Sequence, residues 1–167
     1  MAEQKRAGPS IRRIVTTHDA DGKAVVWIDT PAGNHRFPDE KVSSTLMWVT
    51  DGTPADFTRE EDAGQRVLGT PPPAGGTRFT VLEIQPGNTV HGLHRTDTID
   101  YVICISGSID MDLDDSTVTM KAGDVMVQRG TFHGWVNRGK ETAKIAVVLV
   151  DGTPKRPGSV SGKQAAR

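Results

Sequence analysis

The sequence predicts an all-β protein, an antiparallel sandwich or barrel, on three observations. Short runs rich in β-branched and aromatic residues recur from Thr77 to Val150. They follow one another closely, with a turn signal in each gap. Eighteen glycines and ten prolines punctuate the chain, and few stretches carry a helical period.

Taken in order, residues 1–10 are polar and read as a flexible tail. Ile11 to Thr17 and Lys23 to Asp29 read as two strands around His18-Asp-Ala-Asp-Gly22, which has hairpin chemistry. A polar connection follows, then a β-rich run from Ser44 to Thr50. Asp51 to Gly76 holds four prolines and five glycines and reads as a surface loop or a flap with a short helix. Within it, Arg59-Glu-Glu-Asp62 reads as a solvated loop face. Strands are then expected at Thr77–Gln85, Asp97–Ser106, Ser108–Leu113, Thr117–Met120, Asp124–Gln128, Phe132–Asn137 and Ala143–Val150. Asp51-Gly-Thr-Pro54 recurs as Asp151-Gly-Thr-Pro154, which we read as reused strand-exit turn chemistry. The organisation is therefore a tail (1–10), N-terminal strands and a long loop packing on the barrel (11–76), the barrel itself (77–150) and a second tail (151–167). The strands between Ile11 and Thr50 exceed what one small barrel needs, so the chain is expected to pair as a homodimer.

Twenty basic residues against 21 acidic ones leave a net charge of -1, which argues against a nucleic-acid or membrane-surface partner. The N-terminus lacks the apolar core of a signal peptide. The single cysteine, Cys104, excludes an intramolecular disulfide; a cytoplasmic location is expected.

Chemistry concentrates in two histidine-bearing segments, Pro86–Gly107 and Ala122–Asn137. Strand alternation puts Thr98, Asp100, Val102 and Cys104 on one face and Ile99, Tyr101, Ile103 and Ile105 on the other. The second face is uniformly bulky and apolar and is expected to be packed. The first carries an acid within a buried stretch, and a buried carboxylate needs a partner. A divalent cation ligated by nearby imidazoles is one such partner. His91 and His94 precede the Asp100 strand, and alternation sets His133 beside Trp135 and Asn137. Asn137 reads as a turn-stabilising residue rather than a ligand. The alternatives left open are a hydrogen-bonded core network without metal and, for His91, an ordinary loop position. His18 and His35 read as surface residues, and Trp27 and Trp48 as core or interface residues.

These two segments resemble the two motifs of the cupin superfamily. Gly87 and Gly107 stand at the separation of the first motif, and Asp100, with six residues between it and Gly107, takes the place of its glutamate. The family's His-x-His falls on Leu93 and Arg95, whereas this chain has His91 and His94. In the second motif Gly130, His133 and Asn137 match in register, Gln128 stands for the proline, and the opening glycine comes one position late, as Gly123. His94-Arg-Thr-x-Thr-Ile-Asp-Tyr101 is also similar to a subgroup of small cupins, mostly of unassigned chemistry. The resemblance covers residues 77–150 and implies a cupin-type antiparallel jelly-roll barrel with a metal inside.

From this reading the metal ligands are His94, Asp100 and His133, the metal a divalent transition ion (Fe, Zn, Mn or Ni), and His91 the catalytic proton shuttle. Thr98, Cys104 and Trp135 are expected to line the substrate pocket. The expected activity is a metal-dependent lyase (dehydration or decarboxylation) acting on a small carbonyl- or carboxylate-bearing substrate. An iron dioxygenase and a non-catalytic small-molecule binder are the alternatives.

Overall fold

A computed structural model of the protein describes residues 8–89 and 92–154. His91 and most of both expected tails lie outside these residues. The first two strands, β1 (Arg12–His18) and β2 (Ala24–Pro31), form a separate antiparallel hairpin. The Asp19 side chain closes its turn by accepting from the backbone amides of Asp21 and Lys23 at 2.9 Å. Next come β3 (His35–Asp39), which falls in the expected polar connection, and β4 (Val42–Thr50). A single 3₁₀ turn at Ala63–Gln65 is the regular structure of the long loop.

The remaining strands are β5 (Thr77–Ile84), β6 (Thr98–Ser106), β7 (Ser108–Asp112), β8 (Thr117–Lys121), β9 (Val125–Arg129), β10 (Gly134–Val136) and β11 (Ala143–Asp151). Every pairing between them is antiparallel. Six strands join in the order β3-β4-β5-β11-β6-β9, and a second sheet has the order β10-β7-β8. This is the jelly-roll arrangement. The inner faces of the two sheets meet in one core that includes Ile84, Val102, Ile109, Met120, Ile145 and Val147. Burying an aliphatic side chain of this size stabilises by roughly 1.5–3 kcal/mol. β3 and β4 thus belong to the barrel's own sheet, and only the β1–β2 hairpin stands outside the two barrel sheets.

Gly107 makes the β6–β7 turn with φ of 73°, and a Cβ there would meet the Thr142 carbonyl oxygen at 2.9 Å. Both facts call for glycine. Asn137 is fully buried and ties three segments together. Its amide donates to the carbonyls of Ile84 and Glu141, and its Oδ1 accepts from the amide of Gly139. Asn88 returns the connection, accepting from the Asn137 amide and donating to the Trp135 carbonyl. The two motif segments are thereby fastened to each other.

One expectation is reversed. The apolar face of β6, with Ile99, Tyr101, Ile103 and Ile105, is the exposed outer wall, and Thr98, Asp100, Val102 and Cys104 are the buried inner face. The jelly roll needs one concave face per sheet, and β6 turns its polar-bearing face into it. A second departure concerns Asp62: it does not belong to a solvated face but forks onto the buried guanidinium of Arg13 at 2.7 and 2.6 Å.

Candidate metal and substrate site

A cavity of about 480 Å³ opens inside the barrel, between the inner face of the large sheet and the segment around His94. Its apolar wall includes Leu82, Ile84, Val147 and Leu149, with Trp135 from the small sheet. Such a volume suits one small ligand.

His94 and His133 enter this wall together because the chain pairs them through the backbone. Each amide donates to the other's carbonyl at 2.9 Å, an isolated antiparallel bridge outside the sheets. The bridge sets the imidazole centroids 4.6 Å apart with a tilt of 49°. His133 is 5 % exposed, and its Nδ1 donates to the Thr131 carbonyl at 3.0 Å. The lone pair is thus left on Nε2, the arrangement that readies an imidazole to ligate. Gln128 packs its amide nitrogen 3.2 Å from the same Nδ1 and donates to the same carbonyl, while its Oε1 is buried without a partner among the described residues. Trp135 stands edge-on to His133 at 6.1 Å.

Asp100 is 5 % exposed, faces the cavity, and accepts at 2.6 Å from the Thr98 hydroxyl. Burial pushes its pKa up, against the smaller opposing effects of Thr98 and His94. Lost hydration at the wall pushes His94 down even though much of that residue's surface is open to solvent; His133 pushes the same way and Asp100 opposes. Burial also lowers His133, against the Thr131 carbonyl. Among the described residues no arginine or lysine pairs with Asp100. The result is two imidazoles biased toward the neutral, ligating form beside a carboxylate that lacks a counter-charge.

As they lie, no three His, Cys, Asp or Glu side chains among the described residues stand together at coordination separation. The donor set nevertheless suits a divalent transition ion: two imidazoles, one with its tautomer fixed by a carbonyl, and one buried carboxylate. Of the other expected residues, Trp135 lines the cavity, but Thr98 and Cys104 do not. Thr98 turns its hydroxyl to Asp100 and Thr96. Cys104 sits in the apolar core with Sγ against the carbonyls of Ser106 and Gly107, and burial raises its thiol pKa. Thr98 and Cys104 share the inner face of β6 with Asp100, but Cys104, farther along the strand, belongs to the packed core rather than to the cavity.

Sequence reasoning missed Arg36 and Arg78, which also line the cavity. A basic residue in a strand gives no signal by itself, since most lie on the solvent face. Only the register, which places Arg78 beside Leu149 on the inner face, could have exposed it.

Comparison with known proteins bears directly on this geometry. The model of the cupin domain matches residues 80–150. Phomopsin biosynthesis cluster protein C' of Diaporthe leptostromiformis is 34 % identical over 177 aligned positions, covering 96 % of this chain and 88 % of that protein. The chain is a cupin. Another relative, the cupin-domain-containing oxidoreductase virC of Hypocrea virens, is 31 % identical over 87 % of this chain and 80 % of its own length. Among solved structures, the cupin domain of Cnp3 from Schizosaccharomyces pombe aligns with a TM-score of 0.50 at 15 % identity, over 84 % of this chain and 87 % of that one. At that identity the likeness concerns the fold. No helix of the described residues is long and apolar enough to cross a membrane.

Proposed function

We propose that this cupin is a metal-dependent enzyme acting on a small organic substrate that carries a carbonyl or carboxylate group. The observation that carries the reading is the joint placement of His94, His133 and an uncompensated Asp100 on the wall of one cavity. These three residues would hold the cation. The chemistry it supplies when bound is polarisation of a substrate oxygen, with redox capacity where the metal is iron. The chain's own contribution is to orient the site: Thr131 fixes the His133 ring, Thr98 steadies the Asp100 carboxylate, and Trp135 with Leu149 keeps water from the apolar wall.

Relatives named as cupin-domain-containing oxidoreductases, such as that of Hypocrea virens, favour an oxidative reaction over the lyase type. The test is elemental analysis of the purified chain and of His133→Ala. Wild type is expected to carry a transition metal and His133→Ala to lose most of it while keeping its far-ultraviolet circular dichroism. Equal metal content in the two proteins would overturn the assignment. Iron accompanied by oxygen uptake supports the oxidative branch, whereas zinc without uptake returns the reading to the lyase type.

A further inference from the structure

Arg78 is the most anomalous charged group in the cavity. It lies on β5 and is 5 % exposed. Burying a guanidinium is costly unless it is paired and hydrogen-bonded. Yet no carboxylate among the described residues pairs with it. Among the described residues its single hydrogen bond is from Nη1 to the Thr70 carbonyl at 3.1 Å, and its Nε is buried with no partner. Burial depresses its pKa and the neighbouring charge of Arg36 adds to that, with nothing acting the other way.

The unused part of Arg78 is its Nε/Nη2 edge. Two other arginines of the same chain show what this edge is suited to. Arg12 grips Asp29 with Nε at 2.6 Å and Nη2 at 2.7 Å, and Arg66 grips Glu61 in the same way with the same two distances. A guanidinium edge matches the two oxygens of a carboxylate bidentately. Arg78 lines the cavity with that edge unbonded among the described residues; its Nε is covered by protein, and Nη2 is the nitrogen left accessible.

Register supplies the second observation. Leu149 of β11 pairs with Arg78 on one side and with Asp100 on the other. Arg78 and Asp100 are therefore next-but-one neighbours in a single row of the sheet, with Cα atoms about 10 Å apart at ordinary strand spacing. Leu149 stands between them and also lines the cavity. The guanidinium and the Asp100 carboxylate do not pair across this row, and the space between them is of the size one small molecule would fill.

We propose that Arg78 is the substrate's carboxylate anchor: its accessible Nη2 receives an anionic carboxylate, the Nε/Nη2 fork closes on both oxygens as the side chain adjusts, and the rest of the molecule lies along Leu149 toward Asp100 and the two histidines. This narrows the substrate class from carbonyl- or carboxylate-bearing compounds to carboxylates, and it rests on the reading of this cavity as the substrate site. Arg36, on the rim with Nη1 on the Leu68 carbonyl, adds positive field at the entrance.

The experiment is calorimetric titration of the full chain with hexanoate and benzoate, with their primary amides, and with inorganic phosphate. Wild type is expected to bind the carboxylates saturably and the amides at least tenfold more weakly. Arg78→Met should weaken carboxylate binding by about tenfold to a hundredfold, the range for losing a charge-assisted pair. Arg78→Lys, which keeps the charge without the fork, should fall between. A merely structural arginine would lower the melting temperature when replaced by methionine; an unpaired buried cation kept for a ligand should leave it unchanged or raised. Carboxylate affinity in Arg78→Met equal to that of wild type would overturn the proposal, as would binding of phosphate with none of the carboxylates, or no saturable carboxylate binding at all. Repeating the titration in His133→Ala separates this inference from the metal reading. Arg78-dependent binding that survives metal loss upholds the anchor on its own. Normal metal content in Arg78→Met with unchanged carboxylate affinity sinks the anchor and leaves the metal assignment standing.

Discussion

Replacing Asp62 with alanine is expected to loosen the long loop that reaches the cavity mouth. Arg13 is 6 % exposed, and both of its terminal nitrogens depend on the Asp62 carboxylate, itself 27 % exposed at the side chain. Without Asp62 the guanidinium keeps one contact, to the Met47 carbonyl at 3.3 Å, and its Nε is already unpartnered. Removing one member of such a buried pair costs about 3–5 kcal/mol, because the other charge stays buried. For a chain of this size each kcal/mol lowers the melting temperature by roughly 2–4 °C, so a fall on the order of 10 °C is expected. Arg13→Met combined with Asp62→Ala should recover much of it, since the stranded charge is gone. The pair also has a defined pH signature. Arg13 holds the Asp62 carboxyl below the usual carboxylate range. Its contribution is therefore complete above the unfolded pKa and fades as pH falls through the folded value, that is, below about pH 4. Urea melts between pH 3 and 7 should show wild type losing more stability on acidification than Asp62→Asn. A cost under about 1 kcal/mol for Asp62→Ala, or identical acid slopes, would refute the reasoning.

Other expectations can be stated briefly. Asn137→Ala leaves the buried Ile84 carbonyl and two other backbone groups without their partner; at about 1 kcal/mol per lost bond a drop of roughly 3 kcal/mol is expected in urea unfolding, and under 1 kcal/mol would show that water replaces the side chain. For the apolar row Phe79–Val148–Tyr101–Val127 on the outer face of the large sheet, the occupant we propose is a second copy of the chain. Light scattering should accordingly give a dimer mass for wild type and a monomer for Tyr101→Lys; a monomeric wild type at the outset would dismiss the idea.

The strands from Thr77 onward were legible in the sequence because β-branched runs and turn residues there agree with one another and with the cupin motif glycines. His35–Asp39 was not, since its alternation is interrupted by Pro38, and it is an edge strand that needs fewer apolar positions. The two faces of β6 could be separated by alternation, but apolarity was a misleading guide to which one is inside. A barrel that keeps a polar cavity needs polar residues inward, and an apolar outer wall is then left exposed. Asp100 was found because a carboxylate in an apolar strand is conspicuous. Arg78 carried the same kind of information in a strand with the pattern Thr-Arg-Phe-Thr-Val-Leu-Glu-Ile, where Glu83 and Arg78 fall on opposite faces. Nothing local says which of those two charges is turned inward.

The pairing of β11 with both β5 and β6 resolves that ambiguity and explains why the cavity stays charged. If Arg78 and Asp100 were on adjacent strands they would lie about 5 Å apart at the backbone and would close into an ion pair. Interposing β11 doubles the distance and puts Leu149 in the gap, so each charge stays available to something else. Two buried charges of opposite sign that do not pair with each other destabilise an empty barrel, and the same separation makes the barrel selective. A ligand with an anionic end for Arg78 and a group for the Asp100–His94–His133 end relieves both costs at once, whereas a neutral molecule of equal size relieves neither. The selectivity therefore resides in the strand order, β5-β11-β6, as much as in the residues themselves.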